Sequence, residues 1–226
     1  MQVEAIYELK DSFGIDFENY IADELEKLGF KCFVSVYTKD LDIESQIDII
    51  ALCRYSIVCI ECKSWNCIDV EIEQQSLNWS YRTIQGNWKQ CRNPLRQCIN
   101  QTNTLRKELQ SLENIVRYQL KSEPYPCYSI VVLKGNAPNI KSRALGTSSK
   151  NTYFCNDLHL IRDRYLLEPN VEIDQEVINL YSKYFENKQN STEEKLKAHR
   201  EYIENCKQTK TGLWRPHTGV ELYQIQ

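Results

Sequence analysis

The sequence lacks a long hydrophobic segment. Residues 1–10 contain no apolar run of signal-peptide length, and no later stretch approaches the roughly 18 apolar residues that a membrane-spanning helix needs. The chain also contains no internal repeat and no low-complexity tract. We therefore expect a cytoplasmic protein that is neither exported nor associated with a membrane.

The sequence also lacks an export signal that would accompany a disulfide framework, although it contains ten cysteines. In a reducing compartment such cysteines are typically buried, small hydrophobic residues. Cys59 and Cys62 form a CxxC motif, which is also found in metal and redox sites. They lie in a segment typical of a β-strand, where residues three apart point to opposite faces. A shared metal ligand is therefore not expected.

Acidic residues are absent from two long windows of the chain. Residues 1–73 hold 6 Lys/Arg and 16 Asp/Glu, a balance of −10, whereas residues 74–107 hold six basic residues and no acid. Residues 124–156 are also free of acids. An acidic half followed by basic windows suits a carboxylate metal site beside a phosphate-binding surface, although solvated faces could segregate in this way by chance. The candidate nucleic-acid-binding residues are Arg82, Lys89, Arg92 and Arg96.

The first predicted element is a helix over Asp16–Leu28 that ends at Gly29. Glu18 belongs to the same helical stripe as the apolar residues Ile21 and Leu25, so its carboxylate is expected to face the protein. The alternative is an acid that the helix dipole favours near the N-terminus.

The remaining pattern predicts an α/β domain with a central mixed sheet flanked by helices, in the order α-β-β-β-α-β-β. Segment 74–90 shows no clear pattern, and a helical C-terminal extension over residues 169–226 follows a domain over residues 10–168. The predicted strands are Cys32–Thr38, Gln46–Arg54, Ser56–Lys63, Tyr128–Leu133 and Asn151–Cys155. The predicted helices are a long one capped by Asn93 and Pro94, a short segment at Leu158–Leu167, and two in the extension at Asp174–Phe185 and Thr192–Gln208.

Three charged residues stand out in the predicted hairpin formed by the second and third strands. Asp48 follows Gln46-Ile47. Twelve residues separate it from Glu61, which begins the run Glu61-Cys62-Lys63. Glu61 and Lys63 share one strand face, and Asp48 can meet them across the ladder. Charged groups on an otherwise apolar strand are costly unless something pairs with them.

These residue types fit a divalent metal centre. Two carboxylates and the backbone carbonyl of Cys62 are ligands suited to Mg²⁺ or Mn²⁺. Lys63 could then orient a water molecule or stabilise a phosphate in the transition state. The alternative is a salt bridge between Lys63 and Asp48 or Glu61 without catalysis.

The motifs QIDII, IECKSW and NPLRQ, preceded by a helix that carries Glu18, resemble the NERD (nuclease-related domain) branch of the PD-(D/E)XK superfamily. The resemblance covers residues 14–109 and implies a restriction-endonuclease-like core. It implies that Asp48, Glu61 and Lys63 are the metal and catalytic residues, with Glu18 as the helix acid and Gln97 as the NPxxQ glutamine, and it matches Trp65 to the family's tryptophan.

The chain departs from the family pattern at three positions. Phe17 replaces a glycine, Cys67 replaces another glycine, and Gln101 stands where a histidine is frequent. These departures concern the entry of the first helix and the contacts of the long helix. From the residues alone, Gln97 could bind phosphate or hold a metal-bound water, or it could simply be a surface residue.

The sequence predicts a Mg²⁺- or Mn²⁺-dependent nuclease that acts on DNA, in DNA processing or in defence against foreign DNA, with RNA not excluded. The alternative is a catalytically silent module that binds nucleic acid or a protein. The C-terminal helices are a candidate surface for self-association or a partner protein. For the aromatic residues Trp79, Tyr81 and Trp88, packing is favoured over base stacking.

Overall fold

A computed structural model describes residues 2–40, 43–65, 67–72, 76–119, 125–134, 139–142, 150–167 and 174–189. The elements are α1 (Gln2–Lys27), β1 (Lys31–Asp40), β2 (Ile43–Leu52), β3 (Ile57–Lys63), β4 (Cys67–Ile72), β5 (Asn78–Thr83), β6 (Trp88–Arg92), α2 (Pro94–Tyr118), β7 (Cys127–Leu133), β8 (Asn139–Ser142), β9 (Thr152–Phe154), α3 (Leu158–Arg162) and α4 (residues 175–189). A 3₁₀ turn precedes α3 and a π-helical turn follows it.

A five-stranded mixed sheet in the order β1-β2-β3-β7-β9 forms the centre of the fold. The pairs β1–β2 and β2–β3 are antiparallel, and β3–β7 and β7–β9 are parallel. Helix α1 packs on one face and α2 with α4 on the other. The predicted central mixed sheet with flanking helices is therefore confirmed, and the fold is consistent with that of restriction endonucleases.

Helix α1 ends as the sequence predicts. Gly29 has a φ of 103°, its N–H donates to the carbonyl of Glu26, and the N–H of Phe30 donates to the carbonyl of Leu25. This pair of bonds is the Schellman arrangement, in which a residue with positive φ satisfies the last helical carbonyls. Ile21 and Leu25, in the last turns of the helix, are fully buried. Their burial fixes which face of the helix contacts the core, and therefore the position of Glu18.

The predicted element order is wrong between β3 and α2. Three strands, β4, β5 and β6, occupy this region and join β8 in a second sheet of order β6-β5-β4-β8. The strand β6 is exposed at four of its five positions, so it has no alternation of apolar and polar residues that a sequence pattern could reveal. Helix α1 also begins earlier than predicted, at Gln2 rather than Asp16.

Helix α4 packs on the same domain as the sheet. Its residues Val177, Tyr181 and Phe185 are fully buried in the core that α2 covers, and residues 1–192 form one compact unit. The apolar face of α4 is thus used inside its own unit. The predicted helix Thr192–Gln208 lies outside the described residues, and the boundary at residue 168 stays a prediction.

Within the described ranges, no helix is both long enough and apolar enough to cross a membrane.

Candidate active site

The site lies where β2 and β3 separate. Their ladder runs from Leu52–Ile57 to Ile49–Ile60 and stops before the next opposed position, Asp48 and Glu61. Beyond this point the backbone N–H of Cys62 donates to Asp48 Oδ2 at 2.8 Å. A side-chain carboxylate therefore replaces a ladder partner for β3, which fixes Asp48 against the end of the neighbouring strand.

The alternation of side chains breaks at the same level in β1 and β2. Ile47 and Ile49 pack in opposite cores although two residues on a regular strand share a face. In β1, Ser35 has a φ of 55° and lies between the paired positions Val34–Ile49 and Val36–Ile47. A serine in the left-handed region is strained, and such strain is concentrated at functional sites.

Ser35 connects Glu18 to β2. Its hydroxyl donates to Glu18 Oε2 at 3.5 Å and accepts from Gln46 Nε2 at 3.1 Å. Glu18 is buried, as its place on the apolar stripe predicts. The irregular position in β1 therefore holds the helix acid beside Asp48.

Glu61 and Lys63 form an ion pair on β3. Lys63 Nζ contacts Glu61 Oε1, and the side chains are 25% and 1% exposed respectively. The salt bridge that the non-catalytic alternative expects is therefore present. However, none of the described groups gives Glu61 Oε2 a well-formed hydrogen bond, so one buried carboxylate oxygen remains open.

The carboxylates repel one another. Burial, followed by the charges of Asp48 and Glu61, raises the pKa of Glu18 to about 7. Burial and the charge of Asp48 raise the pKa of Glu61 to about 7, against the opposing effect of Lys63. Burial also raises the pKa of Asp48.

Lys63 remains a cation in this environment. Burial opposes its charge, but the charge and hydrogen bond of Glu61 and the charge of Asp48 outweigh burial and raise its pKa. Lys63 acts on all three carboxylates, yet one ammonium cannot balance their three negative charges when all of them are ionised. An additional cation would remove this imbalance.

The donor set fits a magnesium-type ion. Among the described residues, no group of three or more His, Cys, Asp or Glu side chains is arranged to hold a metal. Mg²⁺ commonly uses only one or two protein carboxylates and completes its shell with water and substrate phosphate. Asp48 and the open Oε2 of Glu61 meet that requirement, whereas ligation by the carbonyl of Cys62 stays a prediction.

Helix α2 brings Gln101 to the site, a residue that the sequence analysis did not identify as functional. Asn93 caps the helix by accepting from the N–H of Arg96 at 3.1 Å, as predicted. Two turns along, the buried side chain of Gln101 donates to the backbone carbonyl of Gln46 and contributes to lowering the pKa of Glu61. Its only signal in the sequence is its position in the family pattern.

Gln97 lies one turn before Gln101 and is exposed. Residues four apart share a helix face, so Gln97 extends that face from the buried glutamine to the solvent. Its predicted catalytic role is not decided by this position.

The candidate nucleic-acid-binding residues differ in their surroundings. Arg82 forms an ion pair with buried Asp69, so its guanidinium already has a protein partner. By contrast, Lys89, Arg92 and Arg96 are exposed.

The aromatic residues of the second sheet also fall into two groups. Trp79 is fully buried, and Tyr81 stacks on Trp65 with ring centroids 4.5 Å apart. Packing was the correct expectation for these two residues. It was wrong for Trp88, which is 47% exposed at the start of the edge strand β6.

The CxxC cysteines do not form a site. Cys59 and Cys62 lie in opposite cores, as expected for a strand, and both are free thiols. Burial raises the pKa of Cys59 to about 12, so its thiol stays protonated and is a poor metal ligand.

The family model of the nuclease-related domain, NERD, matches residues 13–134, which is more than half of the chain. The chain belongs to the NERD family. No match was found among curated proteins or among solved structures. The NERD range contains Glu18, Asp48, Glu61, Lys63 and the whole of α2, and it ends one residue after β7. The resemblance noted in the sequence is therefore confirmed.

Proposed function

We propose that this NERD-domain protein is a divalent-metal-dependent nuclease that hydrolyses phosphodiester bonds in DNA, in DNA processing or in defence against foreign DNA. The observation that carries the proposal is the excess of negative charge at the separation of β2 and β3. The charge of Asp48 raises the pKa of Glu18 and of Glu61, the charge of Glu61 also raises the pKa of Glu18, and a single lysine opposes all three carboxylates. Such an arrangement is unfavourable in isolation and suits a bound cation.

Asp48, Glu61 and the carbonyl of Cys62 are the proposed ligands. When bound, Mg²⁺ or Mn²⁺ would lower the pKa of a coordinated water and offset charge on the scissile phosphate. The Cys62 N–H orients Asp48 by its bond to Oδ2. Glu18 adds a further negative charge from α1.

Lys63 acts as a cation in this scheme. Because its pKa is raised, it carries a proton at neutral pH and cannot serve as a general base there. Its ammonium is instead a hydrogen-bond donor that orients the attacking water or stabilises negative charge on the phosphate. In its ion pair with Glu61, Lys63 is the more exposed side chain, so it can approach a phosphate while Glu61 stays buried.

The alternative of a silent binding module is less well supported. A scaffold gains nothing from buried carboxylates that raise one another's pKa and leave Glu61 Oε2 open. The charge pattern does not separate DNA from RNA as a substrate, so both belong in the test.

The proposal is tested by incubating the purified full chain with supercoiled plasmid, linear DNA and a structured RNA, each with Mg²⁺, Mn²⁺ or EDTA. We expect metal-dependent DNA cleavage that EDTA stops. Metal-dependent cleavage of RNA alone would overturn the substrate class, and no metal-dependent cleavage of any substrate would overturn the enzymatic function.

A further inference from the structure

The hairpin of β5 and β6 forms a positively charged ribbon that is exposed along its turn and most of β6. Its turn forms from the N–H of Gly86 to the carbonyl of Thr83 at 2.8 Å and from the N–H of Thr83 to the carbonyl of Asn87 at 2.9 Å. Gly86 has a φ of 85°, which is typical of a three-residue hairpin loop with glycine in the left-handed position. All seven residues at positions 84–90 are exposed.

Two large apolar side chains are displayed at the tip of this ribbon. Ile84 is 63% exposed and Trp88 is 47% exposed. Single exposed apolar residues are common, but here two stand within five positions on an element with no acidic residue. The cations Lys89 and Arg92 follow on the same strand and are exposed as well.

Strand register defines the solvent face of the ribbon. Trp88, Gln90 and Arg92 alternate with Lys89 and Cys91, so the first three share one face. The other face contains Trp79, which is fully buried in the core of the second sheet, with Cys91 packed against that core. Trp88 and Arg92 therefore lie on the face turned away from the core, about 13 Å apart by strand rise.

The ribbon begins beside the candidate active site. Tyr81 of β5 stacks on Trp65, which follows Lys63 by two residues. Burial raises the pKa of Cys91 to about 11, and the nearby charge of Lys63 acts in the opposite direction. Lys63 therefore lies beside the core-facing side of the ribbon, and a strand of nucleic acid at Lys63 would reach Trp88 and Arg92 by passing the edge formed by β6.

We propose that the β5–β6 ribbon binds an unpaired segment of the DNA substrate, with a base stacked on Trp88 and the phosphate backbone held by Arg92, while Lys89 on the opposite face adds to the positive charge of the ribbon. Stacking on an exposed aromatic ring requires a base whose face is free, which a blunt duplex does not offer. The cations account for attraction to any nucleic acid, and Trp88 adds selectivity for single strands. This inference rests on the proposed nuclease function and specifies its substrate.

The test compares full-length wild type with Trp88→Ala, Trp88→Phe and the control Tyr118→Ala. Tyr118 is 73% exposed near the end of α2, outside the ribbon. Fluorescence anisotropy in EDTA measures binding of a labelled single strand and of the blunt duplex of the same sequence. Circular dichroism confirms that each variant is folded, which the exposure of Trp88 leads us to expect.

Trp88→Ala should weaken single-strand binding about tenfold, on the scale of one lost base–aromatic stack, and duplex binding less than about twofold. Trp88→Phe should recover most of the affinity, and Tyr118→Ala should match wild type. Wild-type affinity of Trp88→Ala for the single strand would overturn the inference, as would equal losses on both substrates. A change only in oligomeric state would instead identify a protein contact.

Metal-dependent cleavage by wild type, measured on the same preparation, separates the two proposals. Wild type that cleaves DNA while Trp88→Ala binds single strands normally contradicts the role of the ribbon alone. Wild type that neither binds nor cleaves DNA contradicts the proposed function and the ribbon's role with it.

Discussion

The separation of β2 and β3 and the β5–β6 ribbon differ in charge, burial and tolerance of change. The first brings the buried carboxylate of Glu18, on α1, close to that of Glu61, on the central sheet, and the second displays cations and Trp88 on an exposed edge. Buried like charges raise the free energy of the folded state, whereas exposed cations cost little. We thus propose that chemistry and binding belong to different sheets, and substitutions should separate them.

The largest effect is expected at Asp48. Asp48→Asn keeps an acceptor for the Cys62 N–H but removes the charge that a metal requires. Cleavage should fall by about a hundredfold or more while the melting temperature changes little. Asp48→Ala should lose cleavage and also stability, because the Cys62 N–H loses its partner. Cleavage by Asp48→Asn at the wild-type rate would remove Asp48 from the site.

A smaller effect is expected on metal affinity at Glu61. Glu61→Gln should bind Mn²⁺ at least about tenfold more weakly, since a neutral amide is a poorer ligand for a hard cation. Titration calorimetry measures the change, with the exposed acid Asp174→Asn as a matched control. Unchanged affinity would mean that the open Oε2 of Glu61 does not face the ion.

The cationic surface should affect binding rather than chemistry. Arg92→Ala combined with Arg96→Ala should weaken DNA binding several-fold and reduce the slope of log affinity against log salt by about two, roughly 0.9 per phosphate. Arg117→Ala, also exposed but at the far end of α2, is the control and should keep the slope. An unaltered slope in the double variant would place this surface away from the DNA.

The smallest effect concerns pH and the metal-free protein. Glu18 and Glu61 have pKa values raised to about 7, so their protonated forms stabilise the fold below about 4.5, and this stabilisation is lost as pH rises through about 7. The raised pKa of Lys63 lies above this window, so its contribution is constant there. The melting temperature in EDTA should therefore fall between pH 5 and pH 8, with pH values chosen to bracket about 7.

Two comparisons make the pH experiment specific. Glu61→Gln should reduce the fall in melting temperature, and Mg²⁺ should raise the wild-type value at pH 8 more than at pH 5 because it binds the ionised carboxylates. Scanning fluorimetry of both proteins on one plate measures these differences. A steeper fall in Glu61→Gln would contradict the assigned pKa shift.

The central sheet was predictable because its strands carry a dense apolar signal. Residues 57–60 of β3 are all buried. Glu61 and Lys63, two residues apart on that strand, share a face as predicted and form an ion pair. Helix α2 was equally predictable from the sequence, because Asn93 and Pro94 mark its start and an apolar stripe runs along it. Strong local signals and the tertiary fold agree in these elements.

The second sheet and the details of the site were not predictable for a different reason. Strand β6 is exposed at four of its five positions, so no hydrophobic period marks it. The left-handed Ser35 and the inward turn of Gln101 depend on neighbours distant in sequence, which no local pattern reports. The exposure of Trp88 likewise follows from its edge position rather than from its chemistry.

Lys63 gives the most direct test of whether the site is catalytic or a structural ion pair. Cleavage of supercoiled plasmid, Mn²⁺ affinity and melting temperature are measured on one preparation of Lys63→Ala beside wild type. The account predicts metal binding that is kept or tightened by removal of a nearby positive charge, with turnover reduced by about a hundredfold or more. Near wild-type cleavage, accompanied only by a lower melting temperature, would contradict it.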